Sequence, residues 1–127
     1  MPQKMIEKDT GLTRIFKAAL YSYKGFVSAF RHEASFRQEV IFAIVLIPLA
    51  FWLNVSKLER VAMVGVVIVV LIVELLNTAI EASIDRIGPE WHVLSKRAKD
   101  MGSAAVFLSL LLCGSIWAAA LYQRFGA

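Results

Sequence analysis

The sequence predicts an all-α membrane protein with three membrane-spanning helices, preceded by an amphipathic helix that lies on the membrane surface. Two observations predict this class. Of the 127 residues, 58% are hydrophobic, and they are gathered in three long apolar runs. Such runs suit lipid better than the small core of a soluble domain. We expect spans at about residues 36–55, 61–84 and 104–122, within one membrane domain over residues 1–127.

The residues before the first span, about 10–32, follow the pattern of an amphipathic surface helix. Apolar side chains recur between Leu12 and Phe30 at the i, i+3, i+4, i+7 spacing of one helical face, and basic residues flank that face. A helix of this kind lies in the headgroup zone of the cytoplasmic leaflet. The alternative is an ordinary helix that packs against the spans.

The distribution of Lys and Arg predicts the topology. Residues 1–39 carry seven of them and residues 85–103 carry four, whereas residues 54–60 carry two and the tail only Arg124. By the positive-inside rule, the N-terminus and a loop at 85–103 lie in the cytoplasm and the C-terminus lies outside. The net charge of +4 is assigned to this orientation, because no interleaving of aromatic and basic residues indicates a nucleic-acid surface.

A polar stripe runs along the second predicted span. Its members share one helical face because three, four and four residues separate them: Glu74, Asn77, Glu81 and Asp85. An ionised carboxylate near the bilayer centre costs about 2.5 to 3.5 kcal/mol, so function is the default interpretation. Counted from Val61, Glu74 lies about 20 Å along the helix, in the inner leaflet. The alternative is that these carboxylates only join helices by hydrogen bonds.

Cationic residues follow this stripe in the chain. Lys96, Arg97 and Lys99 could neutralise phosphate groups, and Lys99 directly precedes Asp100, so we expect this lysine–acid pair close to the stripe. Carboxylates that bind a divalent cation, a base and a lysine are the parts that phosphoryl transfer requires. The alternative for Lys96 and Arg97 is interfacial anchoring. The glycine-rich loops of other kinase classes are absent from the sequence.

Four segments resemble signature stretches of the small prokaryotic diacylglycerol kinases, and the resemblance runs from about Thr10 to Tyr122. They are F-R-Q-E at 36–39, V-E-L-L-N-T-A-I-E-A at 73–82, D-R-I-G at 85–88 and R-A-K-D-M-G-S-A-A-V at 97–106. The resemblance implies an enzyme of the bacterial cytoplasmic (inner) membrane that phosphorylates diacylglycerol with MgATP. It also implies a homotrimer whose active sites form between subunits at the cytoplasmic face.

Carried over by motif, the resemblance makes Glu74 the catalytic base, Glu33 and Glu81 the ligands of Mg²⁺, and Asn77 a supporting residue. The nucleotide contacts that it implies are Arg14, Tyr21, Glu33, Glu81, Glu90, Trp91, His92, Lys99 and Asp100. The lipid contacts that it implies are Ser35, Phe36, Arg37, Gln38, Glu39, Trp52, Arg60, Glu74 and Ser103.

The chain departs from the family pattern at three positions. The family commonly has tyrosine where Trp91 stands, and glycine at the positions of Val40 and Lys96. Trp91 changes the side chain at one of the implied nucleotide contacts, and Lys96 adds a positive charge near the phosphates. The carboxylates of the stripe are unchanged.

Two other functions remain open at this point. A related branch of the family phosphorylates undecaprenol, although A-S-F-R-Q-E at 34–39 and D-R-I-G-P-E-W-H at 85–92 look more like the diacylglycerol branch. A small proton-coupled transporter would also place one glutamate inside the membrane. The cationic segment and the further acids that lead out from Glu74 count against that reading.

Overall fold

The computed structural model describes residues 10–126. These residues form an all-helical structure without strands, which confirms the predicted fold class. The single domain expected over 1–127 includes positions 1–9 and 127, which lie outside the described residues. The helices are α1 (Leu12–His32), α2 (Ala34–Trp52), α3 (Lys57–Ile87) and α4 (Val93–Phe125).

The helices α2, α3 and α4 are each long and apolar enough to cross a membrane, as the three predicted spans require. With 31 and 33 residues, α3 and α4 are about 46 and 50 Å long, which exceeds a hydrocarbon core of about 30 Å. Both helices are therefore longer than the hydrocarbon core is thick and would extend beyond it.

The connection between α3 and α4 differs from the prediction. We expected a loop over residues 85–103, but α3 continues to Ile87 and α4 begins at Val93, so only 88–92 connect them. Hydropathy marks where a helix leaves lipid and does not mark where it ends. Gly88 ends α3 with a φ of 151°, a conformation that a residue with a side chain rarely adopts.

The amphipathic helix α1 is present, and its side chains from Leu12 to Phe26 are exposed. Ala29, near its C-terminal end, is buried, and the helix packs on α2 and α3. An exposed apolar face of this length requires lipid or another protein surface to cover it.

The core lies between α2, α3 and α4, and the most extensive packing is between α3 and α4. Met63 is fully buried, and the indole Nε1 of Trp117 donates a hydrogen bond of 3.0 Å to its carbonyl oxygen. Small residues such as Ala50 and Ala120 let the helices approach closely. This bundle fixes the rotation of α3, and with it the direction of the polar stripe.

Candidate active site

Glu74 lies on the inward face of α3, and only 5% of its surface is exposed. Within residues 10–126, its carboxylate forms no hydrogen bond to another side chain or to the backbone. A carboxylate that served to join helices would have such a partner. Glu74 therefore does not join helices through a hydrogen bond within residues 10–126.

Three further carboxylates surround Glu74. Glu39, Glu81 and Glu33 lie close enough to it for their negative charges to repel its own. They come from α2, from α3 and from the junction between α1 and α2. The role of Glu33 as a ligand of Mg²⁺ stays a prediction.

Glu39 belongs to this cluster, although the resemblance assigned it only to the lipid. Its position in the sequence indicates this role, because an acid within a membrane span is costly and usually functional. In the described part of the chain, no three His, Cys, Asp or Glu side chains converge tightly enough to hold a metal ion by themselves. A cation at this site would therefore need additional ligands, such as phosphate oxygens.

Asn77 links the stripe to α4. Its Nδ2 donates a hydrogen bond of 3.2 Å to Oε1 of Glu81, while its Oδ1 is buried without a partner among the described residues. That oxygen lies directly against Gly102 of α4, where a Cβ atom would collide with it. Gly102 thus lets α4 pack closely against Asn77 of α3. The amide therefore faces Glu81 with its Nδ2 and α4 with its Oδ1.

The charged residues of α4 pair differently from the prediction. Lys99 Nζ bonds Oδ1 of Asp85 on α3 at 3.1 Å, and Lys96 Nζ bonds Oδ2 of Asp100 at 2.8 Å. The expected pair of Lys99 with Asp100 does not form, because successive residues on a helix point in different directions. Lys99 nevertheless reaches the stripe. Both pairs are exposed to solvent and are weak enough to open for a phosphate group.

The other predicted nucleotide contacts lie in exposed parts of the chain. Arg14 and Tyr21 lie on the exposed face of α1, and the connection after α3 leaves 77% of Trp91 exposed. Glu90 is also exposed in this connection. His92 accepts a hydrogen bond of 3.0 Å from the backbone N–H of Leu94 and so caps α4. These assignments stay predictions.

The predicted lipid contacts near the α1–α2 junction differ in exposure and in what they contact. Ser35, Gln38 and Ser103 are exposed. Phe36 is 1% exposed, and its ring centroid lies 6.2 Å from that of Phe26, so it faces protein and not lipid. Arg37 donates hydrogen bonds to the backbone of α1.

Two predicted lipid contacts lie at the opposite end of the bundle. Arg60 is fourteen residues before Glu74 on α3, which corresponds to about 21 Å along the axis. Its guanidinium donates to the carbonyl oxygens of Ala50 and Leu53 at 3.0 and 3.1 Å and so fixes the α2–α3 turn. Trp52 is 80% exposed beside it. Contact of these residues with lipid stays a prediction.

Comparison with known proteins identifies relatives over most of the chain. A family described as prokaryotic diacylglycerol kinase matches residues 20–121. A diacylglycerol kinase from Pseudomonas aeruginosa is 56% identical over 110 residues, which cover 87% of this chain and 89% of that protein. One from Escherichia coli is 48% identical over 122 residues, or 96% of this chain and all of the relative. One from Helicobacter pylori is 39% identical over 114 residues, covering 90% and 89% of the two chains.

Proposed function

The chain belongs to the prokaryotic diacylglycerol kinase family, and from this membership we propose that it transfers a phosphoryl group from ATP to the hydroxyl group of diacylglycerol. The products are phosphatidic acid and ADP. The observation that carries the proposal is Glu74, a buried carboxylate without a hydrogen-bond partner among residues 10–126, surrounded by other acids on a membrane-spanning helix. The relatives of this chain are named diacylglycerol kinases. These names favour diacylglycerol over undecaprenol as the acceptor, and a kinase over a transporter.

Glu74 acts as the general base in this proposal. It accepts the proton of the lipid hydroxyl group as the oxygen attacks the γ-phosphorus and the bond to ADP breaks. The low exposure of Glu74 limits the water around the base. Lys99 is close enough to the stripe to leave Asp85 and bind phosphate oxygens.

Glu33 and Glu81 would hold Mg²⁺, and Asn77 orients Glu81 through its Nδ2 hydrogen bond. Bound Mg²⁺ would supply positive charge to the phosphate oxygens. Carboxylate oxygens suit this ion, and phosphate oxygens would supply its further ligands.

We also propose a homotrimer in the bacterial inner membrane, with the N-terminus in the cytoplasm and the C-terminus outside. Two features support sharing of sites between subunits. The predicted nucleotide contacts Arg14 and Tyr21 are exposed on α1, and large apolar side chains remain exposed along α3 and α4. A neighbouring subunit would cover those faces and complete the site.

ADP release by the purified protein in mixed micelles tests the function. We expect release that depends on diacylglycerol and on Mg²⁺, with little release when undecaprenol or no lipid is added. Glu74→Gln should abolish turnover while the protein remains assembled. The matched control is Glu59→Gln, which lies at the other end of α3 and keeps a side-chain acceptor for its capping box with Ser56. Normal activity in Glu74→Gln would remove Glu74 from the role of base.

A further inference from the structure

A single residue connects the surface helix to the first spanning helix. α1 ends at His32 and α2 begins at Ala34, and Glu33 between them has an extended backbone with φ −119° and ψ 113°. Its N–H still donates to the carbonyl oxygen of Ala29 at 2.9 Å. The direction of the Glu33 side chain therefore depends on the angle between the two helices.

Arg37 holds that angle. Its Nη1 donates hydrogen bonds of 2.9 and 3.0 Å to the carbonyl oxygens of Phe30 and Arg31 in the last turn of α1. The last carbonyl groups of a helix lack partners within the helix, and a positive charge is favourable there. Arg37 also begins the second turn of α2, where its own N–H bonds to the carbonyl oxygen of Glu33 at 3.1 Å. One residue thus contacts both helices and Glu33.

The junction is closed on its other side by aromatic packing. Phe36, next to Arg37, is 1% exposed and packs against Phe26 of α1. This packing resists separation of the helices, while the directional hydrogen bonds of Arg37 fix how the end of α1 faces α2.

The geometry points to Arg37 as a positioning residue for Glu33, which fixes the placement of that carboxylate by tying the end of α1 to α2. The inference rests on the proposed function, because it is there that Glu33 binds the cation. In this inference Arg37 affects cation binding through Glu33 and does not contact the lipid directly.

The test uses two substitutions and a matched control. Arg37→Gln removes the charged donor, and Arg37→Lys keeps a charged donor on a shorter side chain. The control is Arg31→Gln, since Arg31 lies in the same junction, its side chain donates no hydrogen bond among residues 10–126, and its carbonyl group is retained. Each protein is first checked for helical content and for its oligomer size in micelles.

The first readout is cation binding without turnover. The probe is Mn²⁺, which accepts the same oxygen ligands as Mg²⁺, and paramagnetic resonance measures free Mn²⁺ in the presence of a non-hydrolysable ATP analogue. We expect Arg37→Gln to raise the dissociation constant about tenfold, as loss of a charge-assisted hydrogen bond implies. Arg37→Lys should give a smaller rise, and Arg31→Gln should match the wild type.

The second readout is the kinetic split. Arg37→Gln should raise the Mg²⁺ concentration at half-maximal ADP release by a similar factor and leave the KM for diacylglycerol within about twofold of the wild type. A raised KM for diacylglycerol with unchanged cation binding would instead make Arg37 a lipid contact and overturn the inference. Unchanged behaviour in both readouts would overturn it as well. Failure of the proposed function itself is distinguishable, because the wild type would then show no lipid-dependent ADP release while Mn²⁺ binding could still be measured.

Discussion

Replacement of Gly102 by alanine is expected to impair the candidate cation site from a neighbouring helix. Gly102 is buried on α4, and an added Cβ would meet Oδ1 of Asn77 on α3. The obstructing atom is at the end of a side chain, so Asn77 should turn away while the two backbones keep their positions. That movement would break the Nδ2 hydrogen bond to Glu81.

The size of the effect follows from that bond. A hydrogen bond to a charged group contributes about 1.5 to 3 kcal/mol, which corresponds to roughly a 10- to 100-fold change in an equilibrium constant. We expect the Mg²⁺ concentration at half-maximal ADP release to rise by about tenfold or more. Crowding between α3 and α4 should cost about 1 kcal/mol of stability, the low end for overpacking, because Asn77 can move.

The assay is ADP release in mixed micelles across a Mg²⁺ titration, with thermal unfolding measured in parallel. Gly114→Ala is the matched control, since it is the same substitution on the same helix and no atom lies within 4 Å of its ideal Cβ in the described chain. Wild-type Mg²⁺ dependence in Gly102→Ala would refute the link from Gly102 through Asn77 to Glu81. Equal losses in both variants would indicate a general effect of helix crowding.

Three further outcomes are expected. Trp117→Phe should lower the free energy of unfolding by about 0.5 to 1.5 kcal/mol through loss of the bond to Met63, with activity per folded molecule retained, as chemical denaturation and assay would show. Lys99→Met should raise the KM for ATP strongly and Asp85→Asn only slightly, because an exposed ion pair contributes about 0 to 1 kcal/mol; equal effects would mean that the pair itself matters. Ser56→Ala should reduce thermal stability by about 1 kcal/mol through loss of the capping box on α3, and a change in the KM of either substrate would contradict a purely structural role.

Hydrophobic patterning was sufficient to predict the helices, because each membrane span needs a long apolar run. It misplaced the connection between α3 and α4 because the residues at 93–103 are polar and yet helical. Leaving lipid and ending a helix are separate events. Gly88, with its positive φ, and Pro89 after it mark the end of α3.

The site was predictable where one helix carries it and less so where several helices meet. The spacing from Glu74 to Asp85 defines the stripe without tertiary information. The contribution of Glu39 depends on how α2 turns against α3, and the separate partners of Lys99 and Asp100 depend on the rotation of α4. Side-chain packing determines those rotations, and no local pattern encodes them.

The one-residue junction at Glu33 would also make the protein sensitive to bilayer thickness. α2 contains 19 residues and is about 28 Å long, close to the hydrocarbon thickness of about 30 Å, so it has little length in reserve for tilting. In a thicker bilayer, α2 must stand upright or pull its ends inward. Because Glu33 and Arg37 tie α1 to α2, the tilt of α1 relative to the headgroups would then change. A mismatch between the length of α2 and the thickness of the bilayer would thereby shift the carboxylates. Membrane thickness would act on the site without any bound effector.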